Sequence, residues 1–167
     1  HKKFQIDEVH FITDAGRKFA GESRKQEELH NVEYSYYKKK YKLPILGHRV
    51  FLQPGQYYSR TKTFDTQRQL ANTDGFKFVN INYDTSGGKF IANIYTSALD
   101  QYQWTNEAGV NVTQGYPGPF FNTSFRKRNL FKGLETLDIS ARFGYEGVAS
   151  LTENTNVYQS TEAGVNI

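Results

Sequence analysis

The chain has no cysteine and no methionine, and among its 167 residues only four are proline and one is tryptophan. Without cysteine there can be no disulfide and no thiolate metal ligand. Long apolar runs are missing too: nothing approaches the roughly 20 residues of a membrane-crossing helix, and the mean hydropathy is −0.70. A helical membrane span is therefore excluded. Excess charge of one sign is small, since a formal charge of +4 is too mild to argue for nucleic acid, and no nucleic-acid partner is expected. His1, His10, His30 and His48 show no metal-ligand spacing, so neither a metal nor a cofactor is expected. Ser59, Asp65 and His48 can be drawn as a hydrolase triad, but no Gly-x-Ser-x-Gly turn surrounds Ser59, which reads instead as a helix cap. "TSGGKF" lacks phosphate-loop spacing. No catalytic residue is nominated, and the chain is not read as an enzyme.

What is present is aromatic. Twelve tyrosines and 13 phenylalanines bring the aromatic content to 16%, a composition that suits strands. Residues 1–99 read as a mixed α/β unit. "FQIDEVHFI" alternates Phe4, Ile6, then Val9, Phe11, an opening strand. "TDAGRKFAGESRKQEELHN" is polar and reads as a loop or frayed helix, and "VEYSYYKKKYKLP" as a solvated edge strand or arm whose lysines discourage aggregation. The spacing predicts a helix after Ser59, with Phe64, Leu70 and Ala71 on its buried side and Gly75 as a left-handed stop. "FKFVNINYD" and "KFIANIYTS", joined by "TSGG", predict a hairpin.

From Asp100 the grammar changes. Tyr102, Trp104, Ala108, Val110 and Val112 alternate with Gln103, Thr105, Glu107, Gly109 and Asn111, and only Asn106 breaks the apolar register. Phe121, Thr123 and Phe125 alternate with Asn122, Ser124 and Arg126. Leu137, Ile139, Ala141, Phe143 and Tyr145 alternate with Asp138, Ser140, Arg142, Gly144 and Glu146. "TEAGVNI" begins a fourth such strand and nearly repeats "NEAGVNV" of the first.

Alternation alone fits either a soluble sandwich or a membrane barrel. Three details favour the barrel. The segments run to ten residues or so, matching the ~9–11 of a tilted spanning strand. Aromatics stand toward segment ends, as in an interfacial girdle. The polar face mixes both charge signs with glycine, as a watery lumen does. On this reading Leu137, Ile139, Phe143 and Tyr145 face lipid, while Glu107, Asn111, Asp138, Arg142 and Glu146 face the lumen. The smallest barrels have about eight strands, so further strands are expected after Ile167, and the start at His1 suits a piece of a longer chain. "FRKRNLFK" packs four cations, a solvated turn or a contact for lipopolysaccharide phosphates.

Pro54, Gly55, Tyr57, Tyr58 and Ser59, followed by Leu70, Phe76, Phe78, Val79, Asn80 and Ile81, resemble the last POTRA module of the BamA/TamA outer-membrane assembly family, in its TamA-like Bacteroidota branch. Arg128, Asn129, Leu130, Phe131 and Gly133 resemble the "RNLF-G" phrase between that family's second and third barrel strands. The resemblance spans about residues 43–150 and stops short of the family's late Arg-Gly-Phe/Tyr loop. It implies an α+β POTRA-like module over 1–99, followed over 100–167 by antiparallel β-strands of a truncated outer-membrane β-barrel, with the module in the periplasm. The implied function is assembly or translocation of client outer-membrane proteins, whose strands pair with edges of the module and of the first barrel strand. That seam strand carries Tyr102, Trp104, Gly109, Val110 and Val112, with glycine easing the opening. Implied partners are client outer-membrane proteins, outer-membrane lipid and a TamB-like periplasm-spanning protein. The alternative is a soluble β-rich surface binding module of adhesin or lectin type.

Overall fold

The alternation at Val9 and Phe11 is expressed as strand β1 (Glu8–Ile12), whose inward side chains are almost wholly buried. The structure, a computed structural model, describes residues 3–16, 21–113, 115–148 and 156–166. After β1 come β2 (Lys25–Leu29) and β3 (Val32–Tyr36), paired antiparallel. Between them His30 (φ 51°) and Asn31 (φ 63°) are both left-handed, which gives a two-residue turn whose twist matches its strands. Helix α1 (Leu43–Gly47) carries Pro44 in its first turn, and helix α2 (Arg60–Ala71) is capped by the Ser59 hydroxyl, which accepts from the Lys62 N–H. Strand β4 (Phe76–Asp84) turns back through Gly87 and Gly88, both at φ 79°, into the antiparallel β5 (Ile91–Ala98).

These elements form one five-stranded mixed sheet in the order β2-β3-β1-β5-β4, with β1 parallel to both β3 and β5. Its core joins Val9, Phe11, Val32, Tyr34 and Ile94 to Leu43 and Leu46 of α1 and Leu70 of α2. The expectation of an α+β POTRA-like module is corrected here. Strands hold 51% of the residues and helices 14%, in two sheets. The physical reason lies in residues 25–36, read from sequence as loop and solvated arm. They are a hairpin, and β3 lies inside the sheet with Val32, Tyr34 and Tyr36 buried.

Two details of the helix also differ from expectation. Phe64 is 61% exposed, with the Arg68 guanidinium 5.9 Å over its ring, and Ala71 is exposed too; α2 buries Leu70 as expected, with Thr66 in the place expected of Phe64. Gly75 is absent from the positive-φ residues. Its lack of a side chain serves packing, because a Cβ there would lie 2.5 Å from Leu134 Cδ2.

Burial pushes the Tyr34 phenol from the ordinary 10.0 up to about 12. The folded state therefore holds that proton more tightly than the unfolded chain. The resulting stabilisation is whole below pH 10 and lost as pH climbs toward 12. At about 1.4 kcal/mol per pH unit the loss amounts to about 2–3 kcal/mol. Urea melts across this alkaline range should show the decline in the native chain and a flatter profile in Tyr34→Phe.

A second compact unit, Asp100–Leu130 with Glu135–Ile167, is separate from the first, which is His1–Leu99 with Phe131–Leu134. It holds β6 (Tyr102–Thr113), β7 (Tyr116–Arg128), β8 (Thr136–Val148) and β9 (Asn156–Asn166), a four-stranded antiparallel meander in sequence order. The last strand starts five residues before the expected "TEAGVNI". β7 likewise begins earlier than its alternation suggests, because Pro117 and Pro119 stand inside it, opposite Val112 and Val110 of β6. Neither proline can donate to a ladder. The β7–β8 pairing accordingly ends at Phe120↔Gly144, while β8–β9 runs on to Val148↔Asn156.

Candidate membrane-facing sheet and its edge strand

The registers stack side chains of the second sheet into rows that cross its strands. On one face, Gln103, Arg126, Asp138 and Asn166 form one row, and Glu107, Asn122, Arg142 and Glu162 another. Arg126 holds Asp138 with two hydrogen bonds, Nε to Oδ1 at 2.5 Å and Nη2 to Oδ2 at 3.2 Å. Asn122 Nδ2 donates to Glu107 Oε2 at 3.2 Å, and Arg128 Nη2 to Gln103 Oε1 at 2.7 Å. The polar face is thus laced across its strands, by one pair of opposite charges and by hydrogen bonds between charged and amide groups.

The other face carries Trp104, Phe125, Ile139 and Val165 in one row and Ala108, Phe121 and Phe143 in another. Its large apolar side chains lie open: Trp104 is 73% exposed, Val165 65% and Phe143 47%. Two polar residues of this face, Asn106 and Thr123, are bonded to one another and to the indole. Trp104 Nε1 donates to Thr123 Oγ1 at 2.8 Å, and Thr123 Oγ1 donates to Asn106 Oδ1 at 2.7 Å. Such internal pairing is what an apolar solvent demands of a hydroxyl or indole N–H. At the row's end Lys127 leans over the Tyr102 ring, 5.6 Å from its centroid. From Tyr102 to Val112 the strand covers about 34 Å at ~3.4 Å per residue. Tilted by roughly 40°, that is about 26 Å of height, close to the apolar band of about 25 Å in outer-membrane barrels.

Each residue singled out from sequence has a place in this sheet. Tyr102, Trp104, Glu107, Gly109, Val110, Asn111 and Val112 lie on β6, at the sheet's edge. Asp138 and Arg142 lie on the laced face of β8, and Leu137, Ile139, Phe143 and Tyr145 on its opposite face, with Ile139, Phe143 and Tyr145 exposed and Leu137 half-buried. Glu146 belongs to β8, but its side chain falls outside the described residues. Gly109 makes room: a Cβ there would sit 2.7 Å from Cε1 and Cζ of Phe120. That ring, on the polar face, escaped the sequence reading. Its signal was the Phe120–Phe121 doublet, which must put one aromatic on each face.

The backbone of β6 supplies the last element. The Arg128 N–H donates to the Gln101 carbonyl at 2.8 Å, so odd-numbered residues of this segment bond to β7. Pro117 and Pro119, opposite Val112 and Val110, agree with this parity, since a proline can face only the non-bonded side. In an antiparallel ladder the alternate residues turn their N–H and C=O groups the other way. For Tyr102, Trp104, Asn106, Ala108, Val110 and Val112 that direction is the open edge, where the described residues supply no strand.

Among the described residues no three His, Cys, Asp or Glu side chains are grouped to hold a metal. Among the described residues no helix is long and apolar enough to cross a membrane, which leaves strand-based crossing untouched. The sequence matches no protein-family model and no curated protein.

Proposed function

We propose that this chain is part of a bacterial outer-membrane protein assembly or translocation factor, in which the second sheet is a stretch of lipid-facing wall and β6 receives client strands by edge pairing. The observation that carries the reading is the parity of β6. Tyr102, Trp104, Val110 and Val112 turn their N–H and C=O groups to an edge where no described strand pairs with them, and their apolar side chains to the exposed face. In hydrocarbon each unpaired group costs several kcal/mol, so the edge takes up a strand, and main-chain bonding makes that uptake tolerant of client sequence. The resemblance to the BamA/TamA family points to the same role, with client outer-membrane proteins, outer-membrane lipid and a TamB-like protein as partners.

Because the chain lacks cysteine, a single introduced thiol is unambiguous. Val110→Cys and Val112→Cys in detergent micelles should form disulfides with a cysteine-bearing amphipathic strand peptide. Phe143→Cys, on the internal strand β8, should not. Absence of adducts at Tyr102, Trp104, Val110 and Val112 alike would defeat the edge-pairing reading.

A further inference from the structure

The turn linking β7 to β8 is strained. Asn129 (φ 59°), Lys132 (φ 63°) and Leu134 (φ 68°) are all left-handed without being glycine, a conformation L side chains pay for and keep only where surroundings impose it. For Lys132 and Leu134 the surroundings belong to the first unit, which includes Phe131–Leu134. The Lys132 carbonyl accepts from the Lys42 N–H at 2.8 Å, and Leu134 packs over Gly75, against the core. With the turn pinned this way, Phe131 is 64% exposed, and Lys42 and Lys132, whose backbones are bonded, both reach solvent. The exposed Lys38 lies on the same loop as Lys42.

The basic phrase "FRKRNLFK" is sorted by these positions. Arg126 is committed to Asp138, and Arg128 is buried against Asp100 and Gln103. Lys132 is set at the surface beside an exposed aromatic ring. A large apolar ring flanked by lysine ammonium groups is the chemistry of a membrane–water boundary facing anionic lipid. We propose that Phe131, Lys132 and Lys42 form a docking patch for the phosphate headgroups of an anionic lipid surface. The inference rests on the reading of the second sheet as membrane wall. By sequence the turn lies within a few residues of Lys127 and Leu137, where the apolar band begins.

The full chain should be mixed with phosphatidylcholine vesicles, with and without phosphatidylglycerol, carrying brominated acyl chains that quench Trp104, the single tryptophan. Quenching reports insertion, and the ratio of apparent affinities in the two lipids reports headgroup preference. Each lysine near an anionic surface is worth roughly fivefold in binding. The double variant Lys42→Gln/Lys132→Gln should therefore lose about thirty-fold of the preference for phosphatidylglycerol, while Trp104 remains quenched. Lys42→Arg/Lys132→Arg should restore it, and Phe131→Ser should weaken binding to both lipids. Quenching with a preference that survives the glutamine pair would overturn the patch alone. No quenching in either lipid would overturn the membrane-wall reading beneath it. Saturable capture of a soluble protein at the patch, with no lipid preference, would replace lipid by a protein partner and also refute the proposal.

Discussion

Phe143→Arg should, if the second sheet is the proposed membrane wall, lower stability in lipid by about 2–4 kcal/mol, the cost of a charged side chain near the midplane of a barrel's lipid face. Phe143 lies near the middle of β8 and is 47% exposed, so no tight packing would be broken by the change. The penalty comes from solvent alone. Ser140→Arg, on the opposite face beside Arg142 and close to Glu162, should move stability little, because that face already carries arginine. In plain buffer the ranking should vanish, since an exposed phenylalanine has little to lose there. Urea titrations in vesicles and in buffer, read by tryptophan emission, compare the two substitutions directly. If Ser140→Arg is the damaging one in lipid, the two faces have been assigned the wrong way round.

Phe11→Ala should cost about 3–5 kcal/mol in the first unit. Phe11 is 0% exposed, in the central strand β1, between β3 and β5. Its ring meets Tyr34 at 5.5 Å between centroids, a contact worth about 0.5–1.5 kcal/mol beyond area. A typical domain has only 5–15 kcal/mol in hand, so such a loss nears unfolding. Phe64→Ala supplies the contrast. The same residue type, predicted from sequence to be buried, stands in solvent on α2 and should change stability by less than about 0.5 kcal/mol. Denaturation followed by circular dichroism separates the two. Equal losses would mean that α2 turns a different side to the sheet.

Where one physical rule dominated, the sequence was readable. Period-two alternation marked the strands after Asp100 and separated their two faces, and a serine followed by a polar helical run marked α2. The failures came where two rules competed. β2 reads "KQEEL" and has no apolar alternation, because an edge strand half in water needs none. The His30–Asn31 turn carries no glycine to announce it. Phe64 shows that one apolar residue does not fix a helix face when Thr66, bonded to the Phe51 N–H through its hydroxyl at 3.0 Å, fills the buried position. At the candidate site the faces were legible, but the direction of the backbone groups was not drawn from them. Pro117 and Pro119 held that information throughout, as residues that cannot donate.

Those prolines have a mechanical corollary. Among the described residues, the stretch of β7 before Phe120, Tyr116 to Pro119, pairs with β6 alone, so the Val110–Thr113 end of the edge belongs to a two-stranded flap, and two-stranded ribbons twist more strongly than wider sheets. The Tyr102–Trp104 end is backed by β7, β8 and β9 together. On the proposed edge-pairing reading, an incoming strand would meet a firm anvil at one end and a swinging lever at the other. Capture should begin at the lever and be completed at the anvil.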